Sequence, residues 1–87
     1  MDIEFTKVAL ADLKYWKTSG QVKIVNRIRE LLEAIVQEPF KGIGKPEPLK
    51  YDLAGYWSRR INQEHRLVYK VEVGKITVIS CRYHYNS

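Results

Sequence analysis

The stretch YWSRRINQEHRLVYKVEVGKITVISCRYHY, residues 56–85, decides the fold. It contains three runs rich in β-branched, aromatic and aliphatic residues, at 56–62, 65–72 and 75–85, separated by two-residue segments. Strands joined by such short turns pair with their neighbours in antiparallel fashion. The stretch therefore predicts a three-stranded antiparallel meander. Regular alternation along the last run would place its even-numbered residues on one face and its odd-numbered residues on the other.

The part of the chain before the meander shows helical periodicity. Residues 21–37 form the clearest predicted helix, because apolar side chains recur there at intervals of three and four residues. Residues 7–18 show the same spacing, and Ser19-Gly20 separates the two helices. A short strand is predicted at 2–5, where polar and apolar residues alternate. One strand, two helices and then several strands predict an α+β fold with the helices on one sheet face.

Size and composition limit the class of protein. The 87 residues predict one domain, spanning 1–87, with a modest core. A hydrophobic share of 45% and a charged share of 29% indicate a globular chain. The one cysteine, Cys81, excludes an intrachain disulfide, and the charged N-terminus is unlike a signal peptide. No apolar run approaches the roughly 20 residues of a membrane span. We therefore expect a cytoplasmic protein without a membrane anchor.

The positive charge is confined to the second half of the chain. Residues 1–38 contain six basic and six acidic residues, whereas residues 39–87 contain nine basic and four acidic residues, the whole net charge of +5. A localised basic surface attracts polyanions, nucleic acid first among them. Ordinary solubilising charge explains the same count, so the charge alone does not decide the function.

Three familiar kinds of site are disfavoured. His65, Cys81 and His84 lack the spacing of a zinc site, so no metal or other cofactor is expected. Gly42 and Gly44 lack the strand before and the helix after that a phosphate-binding loop requires. No serine stands in the G-x-S-x-G context of an activated nucleophile.

An acid–base pair remains. Glu47 lies between two prolines that restrict the backbone, and the surrounding lysines favour its ionised form, which suits a general base. His84 can act as an acid near neutral pH. A solvated loop glutamate and an ordinary surface histidine are the alternative interpretations. His65, which opens a predicted strand directly after a turn, is interpreted as structural.

Basic and aromatic residues accompany this pair. Arginines on the predicted strands at 56–62 and 65–72 could converge across their hairpin, and arginine binds phosphate through two parallel hydrogen bonds. These residues are Arg59, Arg60 and Arg66. Tyr83 and Tyr85 could stack on nucleic-acid bases. Together these residues favour a nucleic-acid enzyme over a site without chemistry.

Four motifs closely resemble those of the YoeB toxins, which belong to the wider RelE-like group. They are GKPEPL at 44–49, WSRRI at 57–61, EHRLVY at 64–69 and the near-terminal YHY at 83–85. The resemblance covers nearly the whole chain, since two helices followed by a meander also agree with that family. The chain departs from the pattern only in the Asn86-Ser87 tail that follows the usual terminal tyrosine.

The resemblance implies a RelE-like fold, in which two N-terminal helices pack on a mainly antiparallel twisted sheet in the order β-α-α-β-β-β-β. It implies the toxin of a type II toxin–antitoxin module: a ribosome-dependent, metal-independent endoribonuclease that cleaves mRNA in the ribosomal A site and inhibits translation. The residues that match the family's catalytic positions are Glu47, Arg66, His84 and Tyr85. The basic residues expected to bind RNA phosphates are Lys45, Lys50, Arg59 and Arg60.

The resemblance also implies partners. They are the 70S ribosome with its mRNA and a Phd/YefM-like antitoxin, through whose complex alone the toxin would meet operator DNA. Toxin homodimers also occur in this family. A non-catalytic basic RNA- or ribosome-binding module is the main alternative. A DNA-reading regulator is disfavoured, because no recognition helix is evident and the positive charge lies on the strand-rich half.

Overall fold

A computed structural model describes residues 1–83 of the chain, so the predictions made for His84, Tyr85 and the Asn86-Ser87 tail lie outside the described residues. The elements follow the predicted order of one strand, two helices and four strands. They are β1 (Asp2–Phe5), α1 (Lys7–Thr18), α2 (Val22–Gln37), β2 (Glu47–Pro48), β3 (Tyr56–Arg60), β4 (Arg66–Glu72) and β5 (Lys75–Ser80), with a 3₁₀ turn at Tyr51–Leu53 before β3.

The five strands form one mixed sheet in the spatial order β1-β5-β4-β3-β2. Strands β2 to β5 pair in antiparallel fashion, and β1 adds to β5 in parallel. The predicted meander of β3, β4 and β5 is therefore confirmed. The antiparallel strands need only short turns, whereas the helices provide the long connection between β1 and the rest of the sheet.

The core lies between the helices and one face of the sheet. Helix α2 buries one stripe of its apolar side chains, and α1 contributes a smaller stripe, against alternate residues of β4 and β5. Full burial of a leucine or isoleucine side chain contributes about 1.5–3 kcal/mol. The main buried members are Ala9, Trp16, Ile28, Leu31, Ile35, Leu67, Tyr69, Ile76 and Val78.

Helix α1 begins where the sequence predicts, with Thr6 as its N-cap. The Thr6 hydroxyl accepts a hydrogen bond from the Ala9 backbone N–H at 3.1 Å. The same hydroxyl donates to the Ile79 carbonyl of β5 at 2.8 Å. One side chain therefore both starts the helix and ties it to the sheet.

The prediction of a regular last strand from 75 to 85 is wrong in its second half. Strand β5 ends at Ser80, and a register shift makes Ile79 a bulge, so Val78 pairs with Tyr69 while Ser80 pairs with Val68. Successive residues of β4 point to opposite faces, so Val78 and Ser80 do too. The predicted grouping of even-numbered residues on one face therefore fails beyond Val78.

The predicted strand ends of the β3–β4 hairpin are also slightly wrong, because the turn is longer than two residues. The Asn62 side chain accepts hydrogen bonds from the backbone N–H groups of Glu64 and His65, at 2.9 and 2.7 Å. Such a side-chain turn competes with the strand ladder. Within residues 1–83, no helix has both the length and the apolar character needed to cross a membrane.

Candidate functional site

The sheet face turned away from the helices carries the predicted glutamate. Glu47 pairs with Ser58, Ser58 with Val68, and Val68 with Ser80, so these four residues form a row across β2 to β5. Paired residues in a sheet share a face. The neighbours of Val68 in sequence belong to the helix-covered core, so the row lies on the opposite side. We call this side the open face.

Two arginines lie in the next row of the open face. Arg60 pairs directly with Arg66, two residues along from Ser58 and Val68 respectively, and both side chains are partly exposed. Glu47 and Arg66 are two strands apart, a lateral backbone separation of roughly 10 Å. Their side chains can therefore approach the same small ligand from two sides.

Arg59, in contrast, lies in the core. Its side chain is 0% exposed, because the register pairs Arg59 with Leu67 on the helix-covered face. Its guanidinium donates hydrogen bonds to the carbonyls of Glu38, Lys41 and Ile43, at 2.6, 2.8 and 3.1 Å. The prediction that placed Arg59 on the exposed basic surface is wrong. Arg59 instead fixes the loop that leads from α2 toward Glu47.

Further contacts hold this loop on both sides of Glu47. The Gly44 carbonyl accepts a hydrogen bond from the Arg60 N–H at 2.6 Å, and the Leu49 N–H donates to the Tyr56 carbonyl at 2.8 Å. Gly44 has a φ of +83°, and an added Cβ would lie 2.7 Å from a methyl carbon of Leu31. Only glycine fits there. The Glu47 carboxylate is thus exposed on a short segment with fixed ends.

Lysines surround Glu47 on the same loop. Lys45 and Lys50 are both exposed, two residues before it and three after it. Exposed ammonium groups at these positions attract a phosphate chain while leaving the carboxylate accessible. The structure therefore brings Lys45, Glu47 and Lys50 to one loop at the edge of the open face.

The segment Cys81–Tyr83 leaves the sheet and is bound by side chains of α1. The Trp16 indole N–H donates to the Cys81 carbonyl at 2.9 Å, and the Cys81 N–H donates to the Asp12 carboxylate at 3.0 Å. These contacts replace the ladder that a longer β5 would have made. Sequence reasoning placed Trp16 only in an apolar stripe and gave Asp12 no role.

The end of this segment is bound by two residues at the start of β4. The Tyr83 N–H donates to His65 Nδ1 at 2.7 Å, and the Arg66 N–H donates to the Tyr83 carbonyl at 2.9 Å. The described chain therefore ends beside the backbone of Arg66. The structural interpretation of His65 agrees with its burial, but its bond to Tyr83 had no signal in the sequence beyond its position next to Arg66.

The Arg82 guanidinium stacks between two phenol rings. It lies 3.5 Å from the ring centroid of Tyr15 and 4.5 Å from that of Tyr83. Tyr83, predicted as a base-stacking residue, is exposed but already has Arg82 against its ring. A planar cation between two rings stiffens the segment through cation–π attraction.

Three polar atoms of the open face have no hydrogen-bond partner within residues 1–83. They are Ser58 Oγ, Ser80 Oγ and Arg60 Nε. Each is buried beneath neighbouring side chains between Glu47 and Arg66 in the strand rows. Buried polar groups normally find partners. The centre of the open face is therefore a polar floor rather than an apolar one.

The environment shifts the pKa of two buried groups. Burial, and then the nearby Asp12 carboxylate, raises the pKa of the Cys81 thiol from 9.0 to about 12. Burial also raises the pKa of the Tyr69 phenol above 10.0, although the hydrogen bond and charge of Arg59 oppose this shift. Both groups are therefore neutral near pH 7, and Cys81 is unsuited to act as a nucleophile.

Metal ligands do not cluster in the described part of the chain. Among residues 1–83, no group of three or more histidines, cysteines or acidic residues is placed to hold a metal ion. The chemical groups that the open face offers are a carboxylate, guanidinium groups and ammonium groups. This set suits a phosphate ester and proton transfer.

Comparisons with known proteins agree with one another. The family model described as "YoeB-like toxin of bacterial type II toxin-antitoxin system" matches residues 5–85. A toxin YoeB of Synechocystis is 52% identical over 85 residues, which cover 98% of either chain. The toxin YoeB of Escherichia coli K12 is 45% identical over 85 residues, which cover 98% of this chain and all of that one.

Solved structures show the same fold. A YoeB/ParE toxin from Agrobacterium tumefaciens superposes with a TM-score of 0.93 at 44% identity, over 98% of this chain and 100% of that one. A YoeB dimer from Staphylococcus aureus gives 0.90 at 49% identity, and a heterotetrameric YoeB–YefM toxin–antitoxin complex from the same species gives 0.88, each over 98% of both chains. These likenesses confirm the RelE-like fold predicted from the sequence.

Proposed function

The chain belongs to the YoeB-like toxins of bacterial type II toxin–antitoxin systems, and we propose on this basis that it is a ribosome-dependent endoribonuclease. It would cleave mRNA in the ribosomal A site and so inhibit translation in the cytoplasm. The observation that supports this proposal most directly is the placement of Glu47 and Arg66 on one exposed sheet face. A carboxylate opposite a guanidinium suits base-assisted attack at a phosphate.

The reaction uses the nucleophile that RNA carries. Glu47 takes the proton of the 2′-hydroxyl, whose oxygen then attacks the adjacent phosphorus. The bond from phosphorus to the 5′-oxygen breaks, and His84 gives a proton to that leaving oxygen. The products are a 2′,3′-cyclic phosphate and a 5′-hydroxyl end. The role of His84 rests on the family resemblance, since this residue lies outside the described part of the chain.

The charge that develops on the phosphate needs stabilisation as the reaction proceeds. Arg66 is the principal cation in this proposal, because it is on the open face with Glu47 and its backbone is fixed by the Tyr83 carbonyl. Arg60, paired with it, and the loop residues Lys45 and Lys50 bind the flanking phosphates. Tyr85 orients the scissile phosphate or stacks on a base, again by family resemblance.

The proposed partners follow from the family. A YefM-like antitoxin is expected to bind this chain, as YefM binds the Staphylococcus aureus relative in a heterotetramer. Operator DNA would be contacted only through that complex. A homodimer is proposed because a relative of 49% identity forms one. The substrate complex is the 70S ribosome with mRNA in its decoding site.

A cleavage assay with purified components tests this proposal. Protein washed with EDTA is added to a defined mRNA, either free or placed in the A site of 70S ribosomes, and the RNA ends are mapped. We expect one cut in the A-site codon, on ribosomes only, with a 5′-hydroxyl end. Binding to ribosomes without any cut would contradict the proposal and favour a non-catalytic ribosome-binding module.

A further inference from the structure

We propose that neutral His65 is a positioning residue that holds the end of the chain for cleavage and releases it when the imidazole is protonated. The inference rests on the proposed function for its last step, the effect on RNA cleavage. Its structural part, a protonation-dependent bond between His65 and the segment Cys81–Tyr83, stands on contacts within the described residues.

The bond lies at a point where the backbone needs support. Tyr83 has a φ of +68°, in the left-handed region. That conformation costs a residue with a side chain about 1–2 kcal/mol. His65 Nδ1 accepts from the Tyr83 N–H at 2.7 Å, while the Arg66 N–H donates to the Tyr83 carbonyl at 2.9 Å. Both backbone polar groups of Tyr83 are thus satisfied by two consecutive residues of the chain.

The orientation of the His65 ring is fixed by packing. The His65 side chain is 10% exposed, and its ring meets the Trp16 indole edge to face, with centroids 4.7 Å apart. The same Trp16 binds the Cys81 carbonyl through its indole N–H. A rotation of the imidazole that turned Nδ1 away from Tyr83 would disturb this packing. The acceptor position is therefore built into the fold.

The role of Nδ1 as an acceptor dictates the protonation state of His65. A ring nitrogen that accepts from an N–H must carry its lone pair, so the proton of the neutral ring lies on Nε2. An imidazolium carries a proton on both nitrogens, and its Nδ1–H would face the Tyr83 N–H. The bond is consequently present at pH values above the titration of His65 and is lost as the pH falls through it.

Several charged or titratable groups surround this ring. The Glu64 carboxylate lies 3.9 Å from Nε2 but is largely exposed, so water screens its attraction for the cation. The nearby guanidinium groups disfavour a second positive charge. The groups that face His65 or the segment bound to it are Asp12 and Tyr15 of α1, Glu64 of the β3–β4 turn, Arg66 of β4, and Arg82 and Tyr83 of the terminal segment.

Loss of the bond would act on catalysis through sequence continuity. The two proposed catalytic residues His84 and Tyr85 follow Tyr83 directly. Tyr83 is held beside Arg66, the proposed phosphate-binding residue. His65 thus sets the point from which the proposed acid extends toward the open face. A misplacement of about 1 Å in a catalytic group can cost on the order of 10²-fold in rate.

Two substitutions separate the acceptor from the ring. In His65→Asn, the side-chain oxygen is at the same bond distance from the backbone as Nδ1, so an acceptor that does not titrate is retained. In His65→Phe, the aromatic contact with Trp16 is retained and the acceptor is lost. The two variants therefore test whether the hydrogen bond or the packing matters, and the Asn variant guards against a failure of folding in the other.

The first measurement is a pH titration by ¹⁵N NMR between about pH 8 and pH 5, the range in which unperturbed imidazoles change charge. In the wild-type protein we expect an unprotonated Nδ1 at pH 8 and a Tyr83 amide signal that shifts together with the His65 ring nitrogens. In His65→Asn the Tyr83 amide should not shift over this range. A protonated Nδ1 at pH 8, or a Tyr83 amide indifferent to His65, would overturn the proposal.

The second measurement is single-turnover cleavage on ribosomes. We expect His65→Phe to lower the rate on the order of 10- to 100-fold with unchanged ribosome binding, and His65→Asn to restore most of it. The wild-type rate should also fall more steeply toward pH 5 than the rate of His65→Asn. Equal rates in all three proteins would overturn the positioning role. Absence of cleavage by the wild-type protein, with a coupled Tyr83 amide, would instead contradict the proposed function alone.

Discussion

Two adjacent arginines on β3 have opposite environments. Arg59 points into the core and donates hydrogen bonds to three loop carbonyls and to the Tyr69 hydroxyl, whereas Arg60 points to the open face. One step along a strand changes the face, so it changes the role of an identical side chain. Arg59 stabilises the loop that presents Glu47, and Arg60 remains accessible on the proposed RNA-binding face.

Replacement of Arg59 by Met should therefore destabilise the protein. The carbonyls of Glu38, Lys41 and Ile43 would lose a charged donor, at a cost of about 3 kcal/mol in the free energy of unfolding. The matched Arg60→Met change should cost less than about 1 kcal/mol. Urea unfolding of both variants measures the difference. Equal losses would mean that the buried hydrogen bonds of Arg59 contribute little.

The Cys81 thiol should make stability depend on pH in the alkaline range. Its pKa is raised in the folded protein from 9.0 to about 12, so the unfolded chain loses this proton more readily. The stability from this group is complete below pH 9 and declines as the pH rises toward 12, by at most about 1.4 kcal/mol per unit. Urea unfolding at pH 8 and pH 10 should show a smaller decline in Cys81→Ala than in the wild-type protein.

At the residue scale, the sequence predicted exposure better than burial. The two prolines beside Glu47 and the lysines near it indicated an exposed, ionised carboxylate, and the structure agrees. The burial of Arg59 could not be predicted, because two consecutive arginines carry no sign of which one faces inward. That choice depends on the register with Leu67 in β4.

The loop before β2 is the element on which the position of Glu47 depends. Gly44 packs against Leu31 and Arg59 with a positive φ and leaves no space for a side chain. Gly74, in the β4–β5 turn, also has a positive φ, but an added Cβ would meet open space. The two glycines thus have similar backbone conformations and different surroundings, so they form a matched pair.

Gly44→Ala should therefore lower both stability and cleavage, while Gly74→Ala lowers stability alone. Backbone strain costs each variant about 1–2 kcal/mol. The clash with Leu31 adds about 1–3 kcal/mol at position 44 and displaces the loop that carries Glu47. Thermal unfolding and ribosome-dependent cleavage measure the two effects. A Gly44→Ala protein as active as Gly74→Ala would show that the loop tolerates displacement.

The end of β5 shows why elements are predicted less well than their order. The apolar run up to Cys81 resembles a continuing strand, and local pattern alone supports that interpretation. The strand stops because Asp12 and Trp16, more than 60 residues away in sequence, bind the backbone of Cys81. A bond between residues so distant leaves no periodic signal in the sequence, so the bulge and the bound segment could not be predicted.

At the scale of the whole molecule, the two sheet faces divide the work. The helices cover one face and complete the core, which leaves the other face for Glu47, Arg60 and Arg66. The excess of basic residues in the second half of the chain predicted this asymmetry, because that half supplies the strands β2 to β5. The α+β class and the meander followed from periodicity, whereas the family motifs identified which side chains to expect together.

The central claim is that Glu47 acts as the general base on an RNA 2′-hydroxyl. Its most direct test is the single-turnover cleavage rate of Glu47→Gln on ribosomes with a defined A-site codon, beside a Glu30→Gln control on the exposed side of α2. We expect Glu47→Gln to lose on the order of 10²–10⁴-fold in rate, with unchanged unfolding and ribosome binding, and Glu30→Gln to match the wild-type protein. A wild-type rate in Glu47→Gln would contradict this account of the reaction.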